Sequence, residues 1–421
     1  MRPAAASAPG SPGACPLDGP DGLRLLLLDL VSTEREVRPR VAALDGGAWD
    51  ALLACAAEHR VKPLLHWRLT HERSGLPVPA DVLSRLAAAY VQATLRAVRV
   101  QRELVLTVRR LRAARIPCVA LKGAYLAFHA YPAPALRPHR DLDLLVPAAD
   151  VRSAFDALLD AGFARTPTWS GDAATWATRF PHLPVLRSPG GVPVELHHSL
   201  EMPGGRHLGD WESGGLWDRL IEAPVAGEPV SYLSPADALL HVVVHALYQH
   251  RLENGPLTLT DIAVLTRTGS VDWELFWRLA EEGGLTRASR LLFTLTESCL
   301  GPLPVEGAVA LPQDAVSLVP LCASLIMRGQ RSVADERLAG SLAGRGARGK
   351  ATLLLEKALP PRAHLAIAYD VDPASAHAFL FYVPFWARLA GKRLPEVLSR
   401  RRAAARTARQ IAELDDWLAR E

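Results

Sequence analysis

The stretch "LKGAYLAFHAYPAPALRPHRDLDLLVP", Leu121 to Pro147, decides how this chain is read. It sets Asp141 and Asp143 one residue apart inside an apolar run, just after the bases Arg137 and Arg140. An unpaired carboxylate in a buried strand is costly. Alternate strand residues share a face, so the two carboxylates project together while Leu142, Leu144 and Val146 pack behind them. Like charges that close repel each other unless a cation sits between them. Paired oxygen ligands suit a hard divalent ion, magnesium first, which binds through a few carboxylates plus substrate phosphates. An edge strand with solvated aspartates on one face is the competing reading, and the pair alone does not choose between them.

Working outward, "PCVAL" reads as a short buried strand and "GAYLAFHAY" as a short helix. Lys122-Gly123 lies at the turn between them, where backbone amides and a lysine are able to hold phosphate. Beyond the aspartates, "AADVRSAFDALLDAGF" predicts a helix closed by Gly162. "PHLPVLRSPGGVPVELHHSL" predicts two strands joined at "SPGG". The second of these strands carries a third acid, Glu195, with His197 on the same face. Strand and helix alternate here, so residues 117–200 read as a small α/β unit.

The flanks have another texture. Residues 22 to about 115 repeat apolar residues at three- and four-residue spacing and read as helical. After about residue 232 helices return, with starts at "SPADALLHVVVHALYQH" and at Asp272 of "DWELFWRLAEEGG". The expected divisions are a disordered tail (1–21), an N-terminal helical region (22–116), a mixed core (117–225), a helical region (226–327), a linker or loop (328–350) and a C-terminal helical region (351–421).

A chain of 421 residues exceeds what one hydrophobic core usually serves. Its hydrophobic fraction, 49%, and charged fraction, 22%, exclude disorder throughout. A net charge of +4 is too mild to require a polyanionic partner. The five cysteines are far apart and form no C-x-x-C pair, which argues against a disulfide framework or cysteine zinc site and suits a reducing cytosol. No window has the roughly 18 apolar residues of a membrane span, so a cytoplasmic protein is expected.

The ordered set of a Lys-Gly turn, "RDLDLLV" at 140–146, "AGF" at 161–163 and "VELH" at 194–197 resembles the polymerase-β-type nucleotidyltransferase superfamily. It is more closely similar to a bacterial family of uncharacterised nucleotidyltransferases, whose following helical part "LLHVVVHALYQH" (239–250) and "TDIAVL" (260–265) match in outline. The resemblance implies an α+β fold, a small mixed β-sheet nucleotidyltransferase core flanked by N- and C-terminal helical regions. It implies a transferase that moves a nucleoside monophosphate from an NTP such as ATP to an acceptor hydroxyl, releasing pyrophosphate. The acceptor would be a small molecule, glycan or peptide. Asp141, Asp143 and Glu195 would be catalytic and hold Mg2+, with Mn2+ as the alternative. Lys122, Gly123, Arg137 and Arg140 would bind nucleotide, and His197, His245 and Asp261 would serve the acceptor or support the site. One departure stands out: the superfamily's Gly-Ser turn is Gly123-Ala124 here. That keeps open a catalytically inactive nucleotide-binding or scaffold protein of the same fold. An RNA-modifying transferase is the third reading, although nucleic acid is not the expected partner.

Other signals are weaker. "GRGARGKAT" at 344–352 holds G-x-G-x-x-G but has no preceding strand, and Ala351 stands where a P-loop needs Ser or Thr, so it reads as a flexible loop. His241 and His245 are four apart on one helical face, a zinc-capable spacing without an evident third ligand. "SRRRAAARTAR" near the C-terminus reads as a solvated face rather than a nucleic-acid patch.

Overall fold

In a computed structural model, the structure describes residues 20–32, 35–166, 177, 180–200, 215–307, 311–328, 359, 382–383, 386, 407 and 409–419. The expected tail, the linker with its glycine motif, and most of the expected C-terminal region fall outside the described residues.

A mixed seven-stranded sheet forms among helices. Its strands are β1 (Val119–Ala120), β2 (Leu142–Leu145), β3 (Ala164–Arg165), β4 (Leu186–Arg187), β5 (Pro193–His197), β6 (Ile221–Val225) and β7 (Glu228–Tyr232). They lie in the order β3-β4-β5-β2-β1-β7-β6. β2 pairs parallel with β5 and antiparallel with β1, while β1 pairs parallel with β7. The β6–β7 hairpin carries the sheet past residue 225, where the sequence suggested the core would end. Pro224 and Pro229 disguise those strands, since proline cannot donate to a ladder. The turn between them, Ala226-Gly227, has φ of 50° and 81°. Two central residues with positive φ make the tight hairpin turn that suits twisted strands.

Helices α1 (Pro20–Val31), α2 (Arg38–Ala42), α3 (Gly46–Glu58) and α4 (Lys62–Trp67) precede the long α5 (Ala80–Ala113). α6 (Gly123–Tyr125) runs into a wide π turn at Leu126–Ala130, and α7 (Val151–Asp160) follows β2. After the sheet come α8 (Pro235–Val244), α9 (Leu257–Arg267), α10 (Trp273–Glu282) and α11 (Thr286–Leu300). Caps fix several starts. The Asp45, Ser234 and Asp272 side chains accept from the backbone N–H three residues on, opening α3, α8 and α10.

Two apolar clusters form. The larger joins α1, α3, α4, α8, α9 and α11. The smaller packs Leu142, Leu144, Val194 and Leu196 of the sheet against Val100, Leu104 and Leu111 of α5 and Phe155 and Leu158 of α7. α5 serves both, with Val82 and Leu86 in the first and its C-terminal half in the second. Side chains also tie α5 to the sheet. Arg109 Nε donates to Glu228 at 2.6 Å, and Arg112 binds the same carboxylate. The buried Glu103 carboxylate accepts from the Gly190 N–H at 3.2 Å, which anchors the "SPGG" turn. A side chain at Gly190 would meet that carboxylate, so Glu103 would have to swing aside and give up its bond to the turn.

Candidate active site

The parallel pairing of β2 with β5 sets Asp143 beside Glu195 and Leu145 beside His197. Residues paired in this register point the same way, so the acids share one sheet face while Leu142, Leu144, Val194 and Leu196 pack behind the other. One donor atom from each of Asp143, Glu195 and His197 lies within 4.8 Å of the others. His197 Nε2 is 3.4 Å from Asp143 Oδ1 and 3.8 Å from Glu195 Oε2. Two carboxylates and a buried imidazole converging so closely fit a divalent ion, which their oxygen and nitrogen atoms would hold.

Charge around the cluster is finely opposed. Burial would raise Asp143, but the Lys122 ammonium and the His197 contact outweigh it and hold the carboxyl well below the usual range. Glu195 goes the other way: burial first, then the charges of Asp143 and Asp141, push it up to about 8. Burial keeps His197 neutral-leaning, its pKa lowered against the pull of Asp143. The lysine answers these acids from the end of β1. Its backbone is strained, with φ 40° and ψ −101°, and Leu121 N–H donates to the Asp143 carbonyl at 2.9 Å just before it. Strain held at one residue beside clustered acids is the kind of feature that sites retain. Burial lowers the Lys122 pKa, opposed by Asp143, Glu195 and Asp141 in that order.

Asp141 stands slightly apart. β2 begins at Leu142, so strand alternation does not extend to Asp141, and its carboxylate is outside the group of three donors. It remains in electrostatic reach, its pKa raised by burial and then by Asp143.

A family model described as an uncharacterised nucleotidyltransferase matches residues 45–301, more than half of the chain. The chain belongs to this nucleotidyltransferase family. Membership implies a nucleotide substrate. Among curated proteins none matches. The crystal structure of an antigenic nucleotidyltransferase-like protein from Paracoccidioides brasiliensis is similar at 17% identity, covering 48% of this chain and 92% of that one, with a TM-score of 0.31. No helix among the described residues is long and apolar enough to cross a membrane.

Several other expected site residues of this nucleotidyltransferase-family chain are held by neighbours. Arg137 Nη2 donates to Asp261 Oδ2 at 2.8 Å and Tyr131 donates to Asp261 Oδ1 at 2.9 Å, a largely buried network. The other guanidinium edge of Arg137 lies against Gly123, where a Cβ would sit 3.0 Å from Nη1 and 3.0 Å from His139 Cβ. A larger residue there would press the arginine and His139 outward by a few tenths of an ångström. Ala124 is buried at the edge of the sheet's apolar cluster. Arg140 is exposed beside Asp141. His245 meets the Asn254 amide at 2.8 Å and packs edge-on to His250, while the buried His241 lies nearer the acids, its pKa lowered well below normal by burial and then by Lys122 and His197.

Two residues that the sequence did not single out also belong here. His182 bridges to His197 across the strands, its ring centroid 5.3 Å away. Arg60, from the N-terminal helices, is half-buried and feels the charges of Arg137, Arg140, Asp141 and Asp261. Nothing in "AEHRVKP" around Arg60 or "FPHLPV" around His182 marks either role, because both depend on packing against other elements. A cavity of about 400 Å³, lined by Trp67, Arg68, Tyr131, Thr260 and Arg267 among others, lies beyond the Tyr131–Asp261 contact.

Proposed function

We propose that this chain is a metal-dependent nucleotidyltransferase of the polymerase-β type, moving a nucleoside monophosphate from an NTP to an acceptor hydroxyl. The observation that carries the reading is the convergence of Asp143, Glu195 and His197 within 4.8 Å beside the strained Lys122 turn. A bound divalent ion would lower the acceptor's pKa and spread the charge that develops on the attacking and leaving oxygens. Asp143 and Asp141 supply anionic oxygens on the triphosphate side, and Glu195 faces the acceptor. Lys122 supplies a point charge to a phosphate, which stands in for a serine hydroxyl at Ala124. Gly123 leaves room for Arg137, and Arg140 and Arg60 add cations around the triphosphate. Arg137 acts mainly by fixing that turn through Asp261. In the reaction, the acceptor oxygen bonds to the α-phosphorus as the bond to the β-phosphate's bridging oxygen breaks. Pyrophosphate leaves and the acceptor proton passes to Glu195 or water. Most of the rate gain is positioning and electrostatics.

The test is incubation with Mg2+ or Mn2+ and each α-labelled NTP, with small-molecule, glycan and peptide acceptors. Pyrophosphate release and label transfer are followed, with Asp141→Asn/Asp143→Asn as the control. Release that is equal in wild type and control refutes the reading. One observation favours a second reading, a nucleotide-binding protein without transfer: Ala124 offers no hydroxyl at the turn. Tight NTP binding with no pyrophosphate release would establish that reading.

A further inference from the structure

His197 is more than nine-tenths buried, and its Nε2 lies between two carboxylates, with one long hydrogen-bond contact to Asp143 and none to Glu195. Its distances of 3.4 Å to Asp143 and 3.8 Å to Glu195 exceed the 2.7–3.2 Å of an ordinary N–H···O bond. Donors that share one ion at about 2.1 Å lie about 3.0–3.4 Å apart for right-angled to tetrahedral geometry. The Asp143 spacing reaches the upper end of that range and the Glu195 spacing exceeds it by a few tenths of an ångström, so a small shift of the Glu195 side chain would bring all three atoms onto one ion. The strand register explains the closeness, because Glu195 and His197 are two residues apart on β5 and so project from the same face as Asp143.

We infer that His197 is a direct ligand of the ion, making this a two-carboxylate, one-imidazole site that takes a first-row transition dication in preference to magnesium. Magnesium favours an all-oxygen shell and keeps several waters, whereas imidazole nitrogen suits the transition ions. The inference rests on the nucleotidyl-transfer reading only for where the ion sits. The His182 ring lies against His197 and His241 is in its electrostatic reach, so neighbouring imidazoles must be distinguished from the ligand.

The experiment adds Mn2+ alone to the full chain and measures its affinity by electron paramagnetic resonance, with electron spin-echo modulation reporting any bound nitrogen. Wild type is expected to show histidine nitrogen coupling and to bind Mn2+ at least about tenfold more tightly than Mg2+ in competition. His197→Gln should abolish the coupling and bring the two affinities within about threefold. Mn2+ bound without nitrogen coupling, or coupling that survives His197→Gln, overturns the inference and leaves nucleotidyl transfer standing. Failure of any divalent ion to bind, with or without NTP, overturns both. Should His197→Gln not fold, coupling retained in His182→Gln and in His241→Gln supports His197, and loss in either one overturns it.

Discussion

The two faces of the β2–β5 pair differ as sharply as two faces of one strand pair can. Behind, Leu142, Leu144, Val194 and Leu196 are at most 1% exposed and interlock with α5 and α7. In front, Asp143, Glu195 and His197 crowd together, and one acid has its ionisation opposed by the other's charge. The back face contributes stability through burial. The front face works against stability, because its acids are buried with like charges close together. Every other residue serves each face, so strand alternation alone keeps the two apart.

Replacing residues on each face should separate activity from stability. The largest effect is expected for Asp143→Asn, which should cut pyrophosphate release by about 10³-fold while the melting temperature moves only a few degrees. Next is Asp261→Ala. It strands the Arg137 guanidinium and the Tyr131 hydroxyl in a buried setting and should cost about 3–5 kcal/mol in denaturant unfolding. Leu144→Ala on the back face should cost about 2–5 kcal/mol, with activity per folded molecule unchanged. An equal loss of activity in Leu144→Ala would break the division between faces.

The last comparison concerns pH. Glu195 has a folded pKa raised from 4.5 to about 8, so its protonated form is the one the metal-free fold favours. That contribution is complete below pH 4.5 and is lost as pH climbs through about 8. Metal-free protein should therefore lose stability across that interval. Glu195→Gln should flatten the profile in thermal melts and raise the melting temperature at the alkaline end.

Much of the front face was legible in the chain. The strand carrying "RDLDLLV", the glycine-closed helix after it, and Glu195 and His197 on a later strand all follow from local period and turn chemistry. Ser234 and Asp272 announced their helices in the same way. What local pattern cannot carry is pairing over distance. Arg137 meets Asp261 across 124 positions, and Arg109 meets Glu228 across 119. The β6–β7 hairpin was hidden by its prolines, and the π turns after α4, α6 and α8 leave no composition signal. Asp141 lay one residue beyond the point where strand alternation holds.

α5 runs as one helix from Ala80 to Ala113, contains neither proline nor glycine, and is anchored at one end among the N-terminal helices and at the other against the sheet. At 1.5 Å per residue it is a strut of about 50 Å, and helices kink sharply mainly where proline, small-residue pairs or bulges permit. α5 itself therefore offers no hinge between the N-terminal helices and the sheet. Any relative motion of those helices and the sheet has to bend at a turn outside this rod.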